Sequence, residues 1–522
     1  MRAASFPACR RGAAALTMVS LVAVAAYGCT SLPPLGARTA SVALAGTEGT
    51  LLGQAIAPLA AAHPGHSGVY PLIDGRDAFA ARALLAHSAE RSLDVQYYIW
   101  RNDQTGTLML DALRSAAARG VRVRLLLDDN NTAGLDPVLA ALDREANVEV
   151  RLFNPFGMRR WRALGYLTDF WRLNRRMHNK SFTADNQATI VGGRNIGDEY
   201  FGAAGDMLFV DLDVLAVGPA VRAVSQDFDR YWNSASAYPV ALLVGPAEAE
   251  ASGALAGRAE ALRGQPEAQR YLEAMRTSAF VEHLVAGRLP LEWSLARLVS
   301  DDPAKVLGQA HPDERMAVGL RKLLGEPRRQ LDLVSPYFVP SPDAARALGD
   351  IARSGVKVRV LTNSLEATDV AAVHAGYAKW RRELIEAGVT LFELRRSWGP
   401  ELPETVKGRF GSSASSLHAK TFGVDSRSVY IGSFNMDRRS VELNTEMGLV
   451  IDSPQLAGQL SQTLDQDMPD RAYEVRLDVD GKLYWLERSN GKIRRHDEEP
   501  GTTIWKRAGV RLLSLLPIDW LL

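Results

Sequence analysis

His178-Asn-Lys180-Ser-Phe-Thr-Ala-Asp185, followed after six residues by Gly192-Gly193-Arg194-Asn195, recurs as His418-Ala-Lys420-Thr-Phe-Gly-Val-Asp425 and, after six more, Gly432-Ser433-Phe434-Asn435. Identical internal spacing marks a duplicated unit, and the flanks carry the duplication outward. Leu93–Trp100 matches Leu331–Phe338, Gly120–Leu127 matches Gly355–Thr362, Val148–Phe153 matches Val389–Leu394, and His178–Lys180 matches His418–Lys420. The pairs lie 238, 235, 241 and 240 residues apart. So constant an offset over four segments is hard to obtain by chance.

Within each copy, runs of strand length alternate with helical periodicity. Leu93–Trp100 and Val121–Leu127 are apolar and β-branched, while Leu108, Leu110, Ala112, Leu113 and Ala116 mark a helix over Thr107–Arg119 that Gly120 stops. Asp343–Arg353 before Gly355 repeats that helix. Strands separated by helices predict an α/β fold: two homologous mixed-sheet halves, helices on both faces, forming a pseudo-dimer with one active site at their interface.

The motif itself suggests phosphoryl chemistry. His and Lys at i and i+2 of a strand project from one face, so imidazole and ammonium enter one site together. The glycines let a phosphate approach the backbone, and Asn195 and Asn435 can each donate an amide N–H to it. Asp185 and Asp425 sit near a turn, where Asp bonds local backbone, and are read as structural. An orienting carboxylate for each histidine is expected as in triads. Glu446 opens the apolar run Met447–Ile451, eight residues before Pro454; Asp211 opens Leu212–Ala216, eight before Pro219. Counting from the histidines instead selects Asp206, and Asp213 shares a strand face with Asp211. No His/Asp/Glu cluster has metal-ligand spacing, so neither metal nor cofactor is expected.

Composition sets the frame. The chain has 522 residues, 47% hydrophobic and 23% charged, which suits a folded protein of several domains. Net charge is +1, and −2 without the three arginines of the first 28 residues, so no global basic field points to nucleic acid. Residues 1–28 read as a signal or lipoprotein-type segment: a basic start, then an apolar run from Gly12 to Ala26, ending at Ala26-Tyr27-Gly28-Cys29. Cys29 is the candidate lipidation site; an uncleaved hydrophobic anchor is the alternative, and either tethers the chain to a membrane. Residues 29–68 read as a flexible Pro/Gly/Ala-rich spacer. Residues 69–234 and 327–470 are the repeats, and 235–326 a helical connecting insert without chemistry of its own. Residues 471–522 comprise a hairpin around Asp480-Gly481 and an amphipathic helix, which suits either a membrane face or docking on the core. Arg159-Arg-Trp-Arg162 and Trp171–Met177 mix cations with aromatics, a combination that grips lipid or nucleic-acid phosphates or forms a solvated basic loop.

The doubled motif resembles the signature of the phospholipase D superfamily, from about Gly68 onward. Gly193–Phe201, Ser335–Pro340, Val373–Tyr377, Gly432–Ser440, Leu443–Glu446, Trp505–Arg507 and Asp519–Leu522 are most similar to bacterial cardiolipin synthases, the C type in particular. That resemblance implies a phosphatidyltransferase making cardiolipin from phosphatidylglycerol plus phosphatidylglycerol or phosphatidylethanolamine, with hydrolytic release of phosphatidic acid as the alternative. It implies a phosphohistidine on His178, with His418 as acid/base, or the reverse, and Lys180, Lys420, Asn195 and Asn435 around the phosphate. Expected partners are membrane phospholipids and a membrane surface in the bacterial cell envelope; no accessory protein is legible.

Overall fold

The computed structural model describes residues 32–36, 38–203, 207–245, 251–396, 414–489 and 491–516. The leader segment, Cys29, Asp206 and the terminal Asp519–Leu522 lie outside them.

The first half is a mixed sheet running Ser67–Leu72, Asp213–Val217, Ala188–Gly192, Ser181–Ala184, Ser92–Ile99, Arg122–Asn131, Val148–Phe153, Ala237–Pro239. The last junction is antiparallel, and only the central Ser92–Ile99, Arg122–Asn131 and Val148–Phe153 run parallel. The second half repeats the order with Glu292–Ser300, Met447–Asp452, Ser428–Gly432, Thr421–Val424, Gln330–Val334, Lys357–Asn363, Thr390–Leu394 and Ala472–Leu477. Helices Gln104–Ala118 and Pro342–Arg353 make the equivalent parallel crossovers. Each half has its own apolar core, around Val95, Val123, Leu125 and Leu152 in one and Val358, Val360, Leu391 and Phe422 in the other. A third core joins them: Val69, Val191, Val214 and Ala216 pack with Val429, Ile431, Leu449 and Ile451. Alternate residues of strands in both halves supply it, so burying this face requires the other half.

Two parts of the expected division, the spacer and the insert, are revised, and the expected C-terminal hairpin is found joined to the second sheet. The spacer is docked: the Arg38 guanidinium donates to the carbonyls of Asn233, Ser234 and Ala237, and helix Leu51–Ala61 follows, capped by Thr50. Its Pro/Gly/Ala content hid these contacts, which lie about two hundred residues away in sequence. The C-terminal hairpin, Ala472–Leu477 with Leu483–Ser489, extends the second sheet through pairing with Thr390–Leu394. Within the insert, helices Ala251–Arg263, Pro266–Arg276 and Ala279–Val285 are followed by strand Glu292–Ser300 and then by helix Met316–Leu324. That strand pairs with Ser67–Val69 of the first half and with Met447–Asp452 of the second, stitching the sheets together.

Just past the strand lies Asp301, fully buried, whose carboxylate accepts from the Glu446 N–H at 3.0 Å, the Met316 N–H at 2.8 Å and Lys305 Nζ at 2.8 Å. The insert therefore fixes the backbone of a candidate site residue. Asp301→Ala leaves Lys305 as a buried unpaired cation, and a loss of about 3–5 kcal/mol is expected. A denaturant-unfolding midpoint unchanged from wild type would refute this.

Candidate active site

His178-Asn-Lys180 lies just before strand Ser181–Ala184, not within it as the alternation suggests, and His418-Ala-Lys420 just before Thr421–Val424. Each tripeptide is held by the opposite half. Met177 bridges Thr445 in parallel, and the His178 N–H donates to Thr445 O at 2.8 Å. Symmetrically, Ala414–Leu417 pairs in parallel with Met207–Val210, and the His418 N–H donates to Val210 O at 2.8 Å. The next residues on those partner segments are Glu446 and Asp211. Each imidazole thus receives a carboxylate from the other repeat: His178 Nδ1 is 2.8 Å from Glu446 Oε2, and His418 Nδ1 is 2.5 Å from Asp211 Oδ2. With Nδ1–H donated to a carboxylate, Nε2 is the atom of each ring left for chemistry, bearing a lone pair when the ring is neutral and a proton when it is charged.

The other candidates have separate duties. Asp213 pairs with Arg82 at 2.8 Å, fully buried, and is structural. Asp185 accepts the N–H groups of Glu90, Arg91 and Ser92, and Asp425 those of Arg328, Arg329 and Gln330. Both sit at positive φ, as a tight turn requires. The glycines need another account. A Cβ on Gly193 would stand 2.1 Å from Asp211 Oδ1, and one on Gly432 would stand 2.4 Å from Met447 O. They make room for the orienting carboxylate and the neighbouring strand, whereas the sequence suggested room for phosphate. At the position equivalent to Gly193, the Ser433 hydroxyl donates to Glu446 Oε2 at 2.5 Å.

His178, His418, Asn195 and Asn435 line one cavity of about 520 Å³. Asn195 donates from Nδ2 to the Tyr200 hydroxyl and accepts the Ile99 N–H. Lys180 and Lys420 are buried and donate to the carbonyls of His178 and His418. The sequence did not single out the aromatic walls: Tyr98 meets His178 edge-on at 4.9 Å, and Tyr200 and Phe209 stand 5.2 and 5.0 Å from His418. Only the repeat strand and the Gly193–Phe201 stretch hinted at Tyr98 and Tyr200. No group of three His, Cys, Asp or Glu side chains arranged to hold a metal occurs among the described residues.

The electrostatics of the two pairs differ. Burial, reinforced by Lys180 and Lys420, holds His178 well below the ordinary imidazole value. Burial and Lys420 also lower His418, but the Asp211 charge opposes them. Burial pushes Asp211 up, yet His418 and Lys420 outweigh it and keep this carboxyl far below its usual range. Glu446 goes the other way: burial pushes it to about 7, against the pull of Lys180 and Ser433. Burial brings Lys420 down to about 8 and Lys180 well below the usual ammonium value. His178 is therefore the imidazole that stays neutral, and His418 the one better able to carry a proton.

A pH prediction follows. The Glu446 carboxylate, the form that accepts Nδ1–H and enriches Nε2, is present above about 7 and lost below it. Reaction at His178 is expected to rise with pH through that region. Glu446→Gln should remove this limb and slow turnover by about 10- to 100-fold, as loss of orienting partners typically does. An unaltered kcat/KM–pH profile would sink the assignment.

Comparison with known proteins adds the following. The family model described as "Cardiolipin synthase, PLD-like domain" matches twice, at residues 84–232 and 320–468. Cardiolipin synthase C of Escherichia coli is 50% identical over 474 residues, covering 90% of this chain and 99% of that protein. Cardiolipin synthase A of Pseudomonas entomophila is 26% identical, covering 81% and 73%. Among solved structures, phosphatidylserine synthase of Haemophilus influenzae superposes with a TM-score of 0.56 at 15% identity, over 87% of this chain and 95% of that one, a likeness of fold.

Proposed function

The chain belongs to the PLD-like family of cardiolipin synthases, and from that premise we propose that it is a phosphatidyltransferase that makes cardiolipin through a phosphohistidine on His178. The observation that carries the reading is the pair of imidazoles on one cavity, each with its own buried carboxylate and an adjacent buried lysine.

The steps follow from the electrostatics. His178 Nε2, neutral, attacks the phosphorus of a phosphatidyl donor. The bond to the headgroup oxygen breaks, and His418 delivers its Nε2 proton to that oxygen. The headgroup leaves. A hydroxyl of phosphatidylglycerol then gives its proton to His418 and attacks phosphorus, and the P–N bond to His178 breaks. Atoms and charge balance, and both histidines return to their starting states. Asp211 stabilises the His418 imidazolium, as the buried carboxylate of a triad does. Lys180, Lys420, Asn195 and Asn435 counter the charge on the non-bridging oxygens, and the anion in turn draws both lysines back toward their ammonium forms. Donors are phosphatidylglycerol or phosphatidylethanolamine, and the site of action is the bacterial membrane. No helix among the described residues is long and apolar enough to cross a membrane.

The test supplies labelled phosphatidylglycerol to purified protein in vesicles, with and without phosphatidylethanolamine. Labelled cardiolipin is expected in at least one condition. Phosphatidic acid alone would mean that water is the acceptor and the transferase reading is wrong.

A further inference from the structure

Three tryptophans among the described residues are exposed, and all three lie in two segments beside the cavity. The first spans the short helices Arg162–Thr168 and Phe170–Leu173. Trp161, Leu167 and Trp171 are 64%, 81% and 70% exposed. The second is helix Ile504–Ser514, where Trp505 is 82% exposed and Leu515 just beyond is 78% exposed. The other described tryptophans are at least half-buried, with Trp100, Trp232 and Trp485 in the core.

Both segments are braced from below. Arg159 and Arg162 pair with Asp129 and Asp136, and Gly165 packs on Phe156 and Leu173. Val510 and Leu513 seat the C-terminal helix on Leu365, Ala371 and Ala375, and Lys506 Nζ donates to Leu365 O. The large apolar side chains left outside are therefore held outside by rigid scaffolding.

Their position relative to the cavity follows from shared loops. The Tyr166 hydroxyl donates to Asn130, whose neighbour Asn131 lines the cavity. Leu365, which receives the C-terminal helix, is four residues before Asp369, also on the cavity wall. Asn131 ends one central parallel strand, and Asp369 follows the end of its counterpart, Lys357–Asn363. One apolar segment thus rises from each half at the cavity-bearing end of its sheet. Charge completes the match: helix Ile504–Ser514 holds Lys506, Arg507 and Arg511 and no acidic residue, and Arg160, next to Trp161, is exposed. Tryptophan and arginine together suit the headgroup layer, where ring and cation both find partners.

We propose that these two segments form a two-sided footing that inserts into the headgroup layer of an anionic phospholipid bilayer and sets the cavity mouth against it. The footing is independent of any tether at the N-terminus, and its purpose rests on the phosphatidyltransferase reading. Lipid then enters from the bilayer without crossing water.

The experiment uses the full-length protein with vesicles of phosphatidylglycerol and phosphatidylcholine whose acyl chains carry bromine, which quenches tryptophan on contact. Wild-type emission is expected to fall on mixing, more with phosphatidylglycerol than on phosphatidylcholine alone, and less as salt rises. The variant Trp161→Ser/Trp171→Ser/Trp505→Ser should lose at least half of that quenching while keeping the circular dichroism and thermal midpoint of wild type. Equal quenching in the variant, or equal quenching on phosphatidylcholine alone, overturns the proposal. Should the triple variant unfold, Leu164→Ser/Leu167→Ser/Leu515→Ser is read in its place, with weaker quenching of the three intact tryptophans as the expected result and undiminished quenching as the refutation. Quenching needs no turnover, so a protein that quenches but makes no cardiolipin refutes the function and leaves the footing standing.

Discussion

His178→Ala is expected to reduce phosphatidyl transfer by about 10⁴- to 10⁶-fold, the scale seen when a covalent nucleophile is removed. The residue is buried beside Tyr98 and bonded to Glu446, so its substitution removes the proposed nucleophile while the two half-cores remain. His418→Ala separates the roles. As a general acid its removal should cost about 10²- to 10⁴-fold on a lipid donor with an alkoxide leaving group. On a phosphatidyl ester of nitrophenol, whose leaving group needs no proton, His418→Ala should still release a burst of nitrophenol and hold label on the protein. His178→Ala should give neither. The reverse pattern would exchange the two histidines, and the exchange would contradict the electrostatics, which leave His178 the neutral ring.

Asp211→Asn is the second large expected effect, about 10³- to 10⁴-fold, by analogy of geometry with the buried carboxylate of a hydrolase triad. His418 and Lys420 hold the Asp211 carboxyl well below its usual range, and Asp211 is the group that opposes the lowering of His418. An amide in its place withdraws the charge that an imidazolium needs, and presents an N–H to a ring that must itself donate. The loss should be greatest on alkoxide leaving groups and small on nitrophenol, the same signature as His418→Ala. A uniform loss on both substrates would instead mean that Asp211 only supports the fold.

Much of this was legible in the chain. The repeat offsets gave two halves because the core of each repeat is local, a strand–helix–strand unit with its own periodicity. His178, Lys180, His418, Lys420 and the two asparagines stand in a fixed spacing, so reading one copy reads the other. Glu446 and Asp211 emerged as equivalents because both precede a proline-started helix by eight residues, at Pro454 and Pro219. Which histidine each serves did not emerge. Those contacts join positions 268 and 207 residues apart, and nothing near either end announces the other. The glycines were misread for the same reason, since the carboxylate crowding Gly193 arrives from a later strand. The insert was misjudged because an Ala/Glu/Arg-rich composition dominates it, while Glu292–Ser300, the part that matters to the site, is only nine residues long.

The exchange of carboxylates between halves also bears on how the enzyme comes into being. A nascent chain that ends before Thr445 holds His178 with neither the backbone carbonyl that positions it nor the acid that polarises it. Its His418 has a partner waiting, but no complete nucleophile to serve. Synthesis runs from first residue to last, so the proposed chemistry can be assembled only once Thr445 and Glu446 have been made. A chain truncated before Thr445 is therefore expected to show no turnover.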